Sequence, residues 1–174
     1  NVTQISSGQG ISFAHENSWV SAEKQINGEY IDSDSDDNYL NEADPDSFEG
    51  WSYYYSISDV VNFNQDAPGQ SGNFSTANGK GDLPIPGIPG WGDSTDGIVG
   101  EFLTIVYLSS GSYTFGVNSD DGFSATSGQT VLGYFDGDRS ADGTTFSFSV
   151  TEEGYYPLRI IWWEGGGGAS IEVF

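Results

Sequence analysis

Cysteine is absent from the 174-residue chain, and only four residues are basic against 26 that are acidic. The lack of cysteine excludes a disulfide framework and thiol chemistry. The scarcity of Lys and Arg argues against nucleic acids and anionic membrane surfaces, and the formal charge of −22 disfavours sulfated or uronate-rich polysaccharides. Divalent cations and neutral ligands remain as partners, although an acidic surface that confers solubility explains the charge equally well.

Membrane-spanning and targeting segments are also missing from the sequence. No apolar run approaches the length that crosses a bilayer, and no charged-then-apolar signal opens the chain. We therefore expect one domain, residues 1–174, excised from a larger extracellular or cell-surface protein and joined there to flanking domains.

Long stretches of helical periodicity are absent, whereas glycine is abundant at 25 residues and aromatic residues make up 15% of the chain. Short β-rich runs broken by Gly, Asp, Asn and Ser predict an all-β fold, an antiparallel β-sandwich of jelly-roll type with long loops over one end. The nearly continuous apolar run EFLTIVYL at 101–108 predicts a strand buried on both faces. Other strands are predicted at 51–57, 60–64, 112–118, 145–150, 155–163 and 169–174, and 68–97 is predicted to be a long ordered loop.

An acidic cluster near residue 32 spaces its oxygen ligands as calcium loops do; it comprises Asp32, Asp34, Asp36 and Asp37. The helix–loop–helix calcium motif needs Gly at its sixth position and Glu at its twelfth, where this chain has Asp37 and Ala43. A solvated acidic loop is the favoured interpretation, and a second calcium site is the open alternative.

Two later segments place carboxylates beside glycine at predicted strand ends. Neighbouring strand residues point to opposite faces, so Asp120 and Asp121 can serve one site only if the backbone turns sharply between them, as a cis peptide would allow. A cation stabilises two carboxylates forced together, and Ca²⁺ prefers oxygen ligands whereas Zn²⁺ prefers His or Cys. Glu164 adds a third carboxylate, and the four glycines after it let main-chain carbonyls turn inward.

These segments, GSYTFGVNSDDGF and YYPLRIIWWEGGGGASIEV, resemble the lectin-like domain family named for the fourteen-kilodalton piece of the bacterial toxin protective antigen. The resemblance covers less than half of the chain and implies an antiparallel β-sandwich. In the adhesin branch of that family, two aspartates joined by a cis peptide hold a Ca²⁺ ion that ligates sugar hydroxyls. The resemblance therefore implies metal ligation by Asp120, Asp121 and the Glu164 side chain, and by the carbonyls of Gly166 and Gly168. The adhesins typically carry Asn where this chain has Glu164.

Aromatic residues flank the predicted site. Phe123 follows the aspartate pair and Trp163 precedes Glu164, and a ring exposed beside the ion would stack on the apolar face of a sugar. Trp162 and Trp163 face opposite sides of their strand, so we expect one in the core and the other near the surface, with burial of both as the alternative. Arg139 is expected to be an exposed loop residue within reach of a ligand.

The predicted function is calcium-dependent binding of a neutral sugar or polysaccharide by a lectin or carbohydrate-binding module, serving adhesion or polysaccharide targeting. The residues expected to touch the ligand are Asp120, Asp121, Phe123, Trp163 and Glu164. An enzyme is not expected, because glycosidase carboxylates stand about 5–9 Å apart across the scissile bond and adjacent aspartates cannot straddle a sugar. The alternative is a calcium-stabilised structural spacer or protein-docking domain that binds no sugar.

Overall fold

The fold is known from a computed structural model. It describes the backbone at 7–16, 25–26, 29–30 and 51–58, and both backbone and side chains at 60–66, 72–74, 79, 81–86 and 96–174. Within these ranges the chain forms β-strands and no helix, and so contains no helix able to cross a membrane. The strands are β1 (Ser7–Glu16), β2 (Gln25–Ile26), β3 (Glu29–Tyr30), β4 (Trp51–Ser58), β5 (Asn62–Asn64), β6 (Ile98–Leu108), β7 (Gly111–Asp120), β8 (Phe123–Ser127), β9 (Thr130–Phe135), β10 (Asp142–Val150), β11 (Gly154–Glu164) and β12 (Ser170–Val173).

Two antiparallel sheets make up the sandwich. The larger has six strands in the order β4-β1-β6-β11-β8-β9, and the smaller has four in the order β10-β7-β12-β5. All strand pairs within both sheets are antiparallel. Strands β2 and β3 pair with each other in a separate two-stranded sheet. The two larger sheets confirm the predicted antiparallel β-sandwich.

The core lies between the sheets and is built from alternate residues of their strands. Val117 on β7 and Ile171 on β12 represent the smaller sheet, and Ile160 and Trp162 on β11 represent the larger one. All four side chains are at most 3% exposed. Because side chains alternate along a strand, residues two apart reach the same interior, and burying each one contributes about 1.5–3 kcal/mol.

Strand β6 differs from its prediction. Phe102 and Leu108 face the core, but Ile105 and Tyr107 are each 53% exposed, so burial on both faces was the wrong expectation. The apolar run instead supplies an outward face whose side chains contact one another, as Tyr107 does with Tyr155 on β11 at 5.2 Å between ring centroids. A continuous apolar run identifies the strand correctly without identifying what covers each of its faces.

The hairpin β8–β9 is not predicted by the sequence pattern. Strand β8 (FSATS) consists mostly of small polar residues and a glycine interrupts β9 (TVLGYF), so neither segment has a clear alternation of apolar and polar residues. Gly128 forms the turn with φ of 57°, a left-handed conformation that glycine adopts without steric cost. The hairpin brings Phe135 into register with Phe123, next to the aspartate pair.

The chain passes from the smaller sheet to the larger one between β7 and β8. Asp120, the last residue of β7, pairs with Ser170 on β12, whereas Phe123, the first residue of β8, pairs with Trp162 on β11. Only Asp121 and Gly122 lie between them. The aspartate pair therefore occupies the corner where the two sheets meet, at the same end at which β11 ends and β12 begins.

Candidate functional site

Three carboxylates meet at this corner of the sandwich. Asp120 and Asp121 are joined by a cis peptide bond. One carboxylate oxygen from each of Asp120, Asp121 and Glu164 lies within 4.8 Å of the others. Asp121 and Glu164 are 4% and 1% exposed, and Asp120 is only partly buried. We call these three residues the acidic triad. They are the three carboxylates whose side chains the sequence analysis predicted as metal ligands. Asp120 is the most exposed of them.

Glu164 is the most unusual member of the triad. Both of its carboxylate oxygens are buried and accept no hydrogen bond from an N–H or a hydroxyl group of the described residues; their hydrogen-bonding neighbour is the Asp121 carboxyl, which can donate only when it is protonated. Burial, followed by the charges of Asp121 and Asp120, raises the pKa of Glu164 to about 10. A buried carboxylate without donors costs free energy unless it is protonated or meets a cation. The two oxygens are therefore free to bind a positively charged partner.

The aspartates are better supported by the main chain. Asp121 accepts hydrogen bonds from the Arg139 N–H to Oδ1 at 2.8 Å and from the Gly165 N–H to Oδ2 at 3.0 Å. Burial nevertheless raises the pKa of Asp121. Burial, with the charges of Asp121 and Asp66, raises the pKa of Asp120 to about 6. All three pKa values move in the direction expected of clustered carboxylates that lack a matching positive charge.

The core anchors the corner that carries the aspartates. The indole N–H of Trp162 donates to the Asp120 main-chain oxygen at 2.9 Å, and the Asp121 N–H donates to the Trp163 oxygen at 3.3 Å. At Gly122 an added Cβ would meet Trp163 Nε1 at 2.5 Å. Glycine at 122 therefore lets the corner close tightly over β11.

The glycine loop after Glu164 lies against the triad. A Cβ at Gly168 would meet Asp120 Oδ2 at 2.7 Å and Asp66 Oδ2 at 2.9 Å, so a larger residue there would have to displace these carboxylates. A Cβ at Gly166 would come no closer than 3.7 Å to Asp96 Oδ1, which imposes no comparable limit. Ligation of an ion by the carbonyl oxygens of Gly166 and Gly168 stays a prediction.

Two aspartates that the sequence reasoning did not assign border this loop. Asp66 accepts a hydrogen bond from the Ala169 N–H at 3.2 Å, and Asp96 accepts one from the Gly167 N–H at 2.9 Å. Both lie 71 residues or more from their partners along the chain. Nothing in the local sequence pattern connects segments so far apart.

The aromatic residues are placed differently from the prediction. Phe123 and Trp162 are fully buried and Trp163 is 2% exposed, so no tryptophan of this pair reaches the surface. Burial of both tryptophans, the alternative, is what the structure has. Stacking of Phe123 or Trp163 on a sugar is not supported, because neither ring presents a free face.

Within the described ranges, the triad is the group of three acidic, His or Cys side chains that lie close enough to share an ion. The other predicted acidic cluster, Asp32 to Asp37, lies outside the described residues. Both the favoured solvated loop and the alternative of a second calcium site there stay predictions.

No protein-family profile and no curated protein matches the chain in sequence. Solved structures do match its fold. The PA14 domain of the MpAFP antifreeze protein is 19% identical with a TM-score of 0.56, covering 99% of this chain and 84% of that one. The A domain of epithelial adhesin 9 from Candida glabrata, in complex with Galβ1-4GlcNAc, is 12% identical with a TM-score of 0.52, covering 98% and 85%. The GH31 α-xylosidase from Xanthomonas citri is 11% identical with a TM-score of 0.50, covering 97% of this chain but 14% of the enzyme. The similarity shows a PA14-like β-sandwich fold.

Proposed function

We propose that this domain binds carbohydrate through a calcium ion held by Asp120, Asp121 and Glu164. The observation that carries the proposal is the Glu164 carboxylate, which is buried, has no N–H or hydroxyl donor among the described residues and lies against two other carboxylates. A bound calcium ion would supply the missing positive charge and coordination positions open to neighbouring sugar hydroxyls.

The residues around the triad fit calcium in their chemistry. Calcium takes six to eight oxygen ligands, whereas zinc prefers nitrogen and sulfur. The carbonyl oxygens of Gly166 and Gly168 would add neutral ligands to the three carboxylates. Three carboxylates against one dication leave about one negative charge, which favours a neutral sugar over an anionic one.

Carbohydrate is the proposed ligand for two reasons. Asp120 is only partly buried, so the triad is reachable from solvent at that residue. A structure of the same fold, epithelial adhesin 9, contains a galactose-containing disaccharide. The second reason is an analogy between folds and assigns a ligand class rather than a particular sugar. Phe123 and Trp163 would support the site from beneath rather than touch the sugar.

The proposed setting is extracellular, in a larger adhesin or polysaccharide-targeting protein, with residues 1–174 as one binding domain beside others. The proposed role is binding rather than hydrolysis. Carboxylates that cleave glycosides stand about 5–9.5 Å apart with the sugar between them, whereas the triad oxygens approach one another within 4.8 Å.

A glycan array read with calcium and with a chelator tests the proposal, using the wild type, Glu164→Gln and Glu153→Gln. Glu153 is an exposed residue between β10 and β11 and serves as the matched control. We expect calcium-dependent sugar binding in the wild type and in Glu153→Gln, and none in Glu164→Gln. Sugar binding that survives complete chelation would contradict the mechanism. A melting temperature raised by calcium with no glycan bound would favour the structural-spacer alternative.

A further inference from the structure

The loop between β9 and β10, residues 136–141, contacts both aspartates of the triad. Its main chain donates one hydrogen bond to each of them, from the Arg139 N–H to Asp121 Oδ1 at 2.8 Å and from Ala141 to the Asp120 carboxylate. The two carboxylates thus depend on the position of a loop that is neither of the segments from which the site was predicted.

The Arg139 side chain holds this loop in place. Its guanidinium donates from Nε to the Ser119 main-chain oxygen at 3.0 Å, from Nη2 to Ser119 Oγ at 2.6 Å and from Nη1 to Thr144 Oγ1 at 2.8 Å. Its Cζ also lies 4.3 Å from the centroid of the Phe135 ring and 5.7 Å from that of Phe123. The expectation that Arg139 is an exposed loop residue is wrong, because its side chain is half-buried and donates three hydrogen bonds to Ser119 and Thr144. Contact between Arg139 and a ligand stays a prediction.

Ser119 connects the guanidinium to the aspartate pair. It immediately precedes Asp120 and is fully buried. Its hydroxyl accepts from Arg139 and donates to the Asp121 main-chain oxygen at 2.6 Å. Arg139 therefore acts on Asp121 twice, through its own N–H on the carboxylate and through Ser119 on the main chain.

We propose that Arg139 is the positioning residue of the ion site, whose guanidinium fixes the β9–β10 loop and Ser119 so that Asp120 and Asp121 present their carboxylates to the ion. The inference rests on the proposed function, because it concerns the same ion. Hydrogen-bond partners that orient metal ligands typically change metal affinity by about 10–100-fold when they are removed.

Charge and geometry act in opposite directions at this position. Deleting the positive charge of Arg139 would strengthen cation binding by Coulomb attraction, whereas losing its hydrogen bonds would weaken it. Arg139→Lys separates the two effects, since lysine keeps the charge but lacks the planar fork of donors. Ser119→Ala is a second substitution that leaves the net charge unchanged, because it deletes the connecting hydroxyl and keeps the Arg139 guanidinium.

The experiment is a calcium titration of Arg139→Lys, Ser119→Ala and the double variant, beside the wild type. Arg159→Lys is the matched control, because Arg159 pairs with Glu101 on the larger sheet and contacts no triad residue. Melting curves in chelator check that each variant is folded. Should Ser119→Ala fail to fold, Thr144→Val, which removes the third guanidinium acceptor, replaces it.

We expect calcium affinity to fall about tenfold or more in each single variant, and in the double variant by much less than the product of the two. The control should bind as the wild type does, and saturating calcium should restore sugar binding to Arg139→Lys. Lower melting temperatures with unchanged calcium affinity in both single variants would show a merely structural role and overturn the inference. Absence of calcium binding in the wild type would overturn the proposed function itself.

Discussion

The indole N–H of Trp162 and the main-chain oxygen of Asp120 are joined by a hydrogen bond of 2.9 Å. Trp162 is a fully buried core residue, and Asp120 is the triad residue nearest to solvent. One side chain therefore fills the interior of the sandwich and supports the candidate ion site at its edge. Substitutions that change the packing of the core should therefore alter calcium binding at the site. Calcium binding should in turn alter the stability of the core.

Trp162→Phe tests this connection. The substitution removes the donor to Asp120 and part of the indole volume, and we expect the free energy of unfolding to fall by about 2–4 kcal/mol. Calcium affinity should fall as well, because Asp120 loses its anchor. Chemical denaturation and calcium titration measure the two effects. Tyr107→Phe, on the exposed face of β6, should change neither quantity; equal effects of both substitutions would contradict the connection.

Glu164→Gln should affect the stability of the ion-free protein and that of the calcium-bound protein differently. In chelator, the variant should be as stable as the wild type or more stable, because wild-type Glu164, whose pKa is raised to about 10, must take up a proton on folding near neutral pH and glutamine need not. In calcium, the wild type should be stabilised and the variant should not, since its carboxylate ligand is gone. Melting temperatures in both conditions provide the measurement, with Glu153→Gln as control. A variant that calcium stabilises as much as the wild type would exclude Glu164 as a ligand.

The pKa values predict how pH acts on the triad. Asp120 and Glu164 have raised pKa values of about 6 and about 10 in the folded protein, against 3.8 and 4.5 for unperturbed groups. Between about pH 4 and pH 10 the folded ion-free protein thus binds more protons than the unfolded chain, and the contribution of the triad to stability falls as pH rises.

Calcium binding should depend on pH in the opposite sense to the stability of the ion-free protein, because the ion needs ionised carboxylates. Calcium affinity should rise with pH from about pH 5 to pH 8, and binding near neutral pH should release about one proton per ion. Calorimetry in buffers of different ionisation enthalpy measures the released protons. A calcium affinity that is independent of pH across this range would contradict the assignment of these carboxylates as ligands.

Gly168→Ala should disturb the site with little effect on the fold. The new methyl would lie 2.7 Å from Asp120 Oδ2 and must displace that carboxylate, so we expect calcium affinity to fall about tenfold or more. Gly154→Ala, at the opposite end of β11, is the control, since its nearest neighbour would lie 4.0 Å away. Calcium titration of both variants compares them, and equal affinities would contradict the placement of Gly168 beside the ion.

A matched pair of isoleucines tests the exposure of β6. Ile105 is 53% exposed and Ile160, on the adjacent strand β11, is 3% exposed. Ile105→Thr should change the free energy of unfolding by less than about 0.5 kcal/mol, whereas Ile160→Thr should lower it by about 2–4 kcal/mol. Denaturant melts of the two variants give both values. Comparable losses would mean that the outer face of β6 is covered.

The sequence predicts the strands that lead to Asp120, Asp121 and Glu164, because alternation and strand-end glycines are local signals. It does not predict the burial of Trp163. Period-two alternation predicts on which side of β11 the Trp163 ring lies, but it does not predict what packs against that side. The segments that cover it come from other parts of the chain. Those segments are Gly122, whose Cβ would meet the indole, and the nearby main-chain oxygens of Phe135 and Gly137.

The position of Arg139 is hidden from the sequence for the same reason. In isolation, an arginine in the turn DGDRSADG has the pattern of a solvated loop residue. Its partners Ser119 and Thr144 lie on β7 and β10, and only the antiparallel pairing of those strands brings both within reach of one guanidinium. Side-chain roles that depend on three segments at once need the tertiary structure.

The corner at which the triad lies also has a mechanical consequence. Asp120 belongs to the smaller sheet and Glu164 to the larger, so an ion bound between them would join the two sheets at that end. Tension applied through a sugar on the ion would then be divided between β7 and β11, both of which are paired along their length with neighbouring strands. A tethered ligand would pull against two sheets in parallel rather than against a single loop.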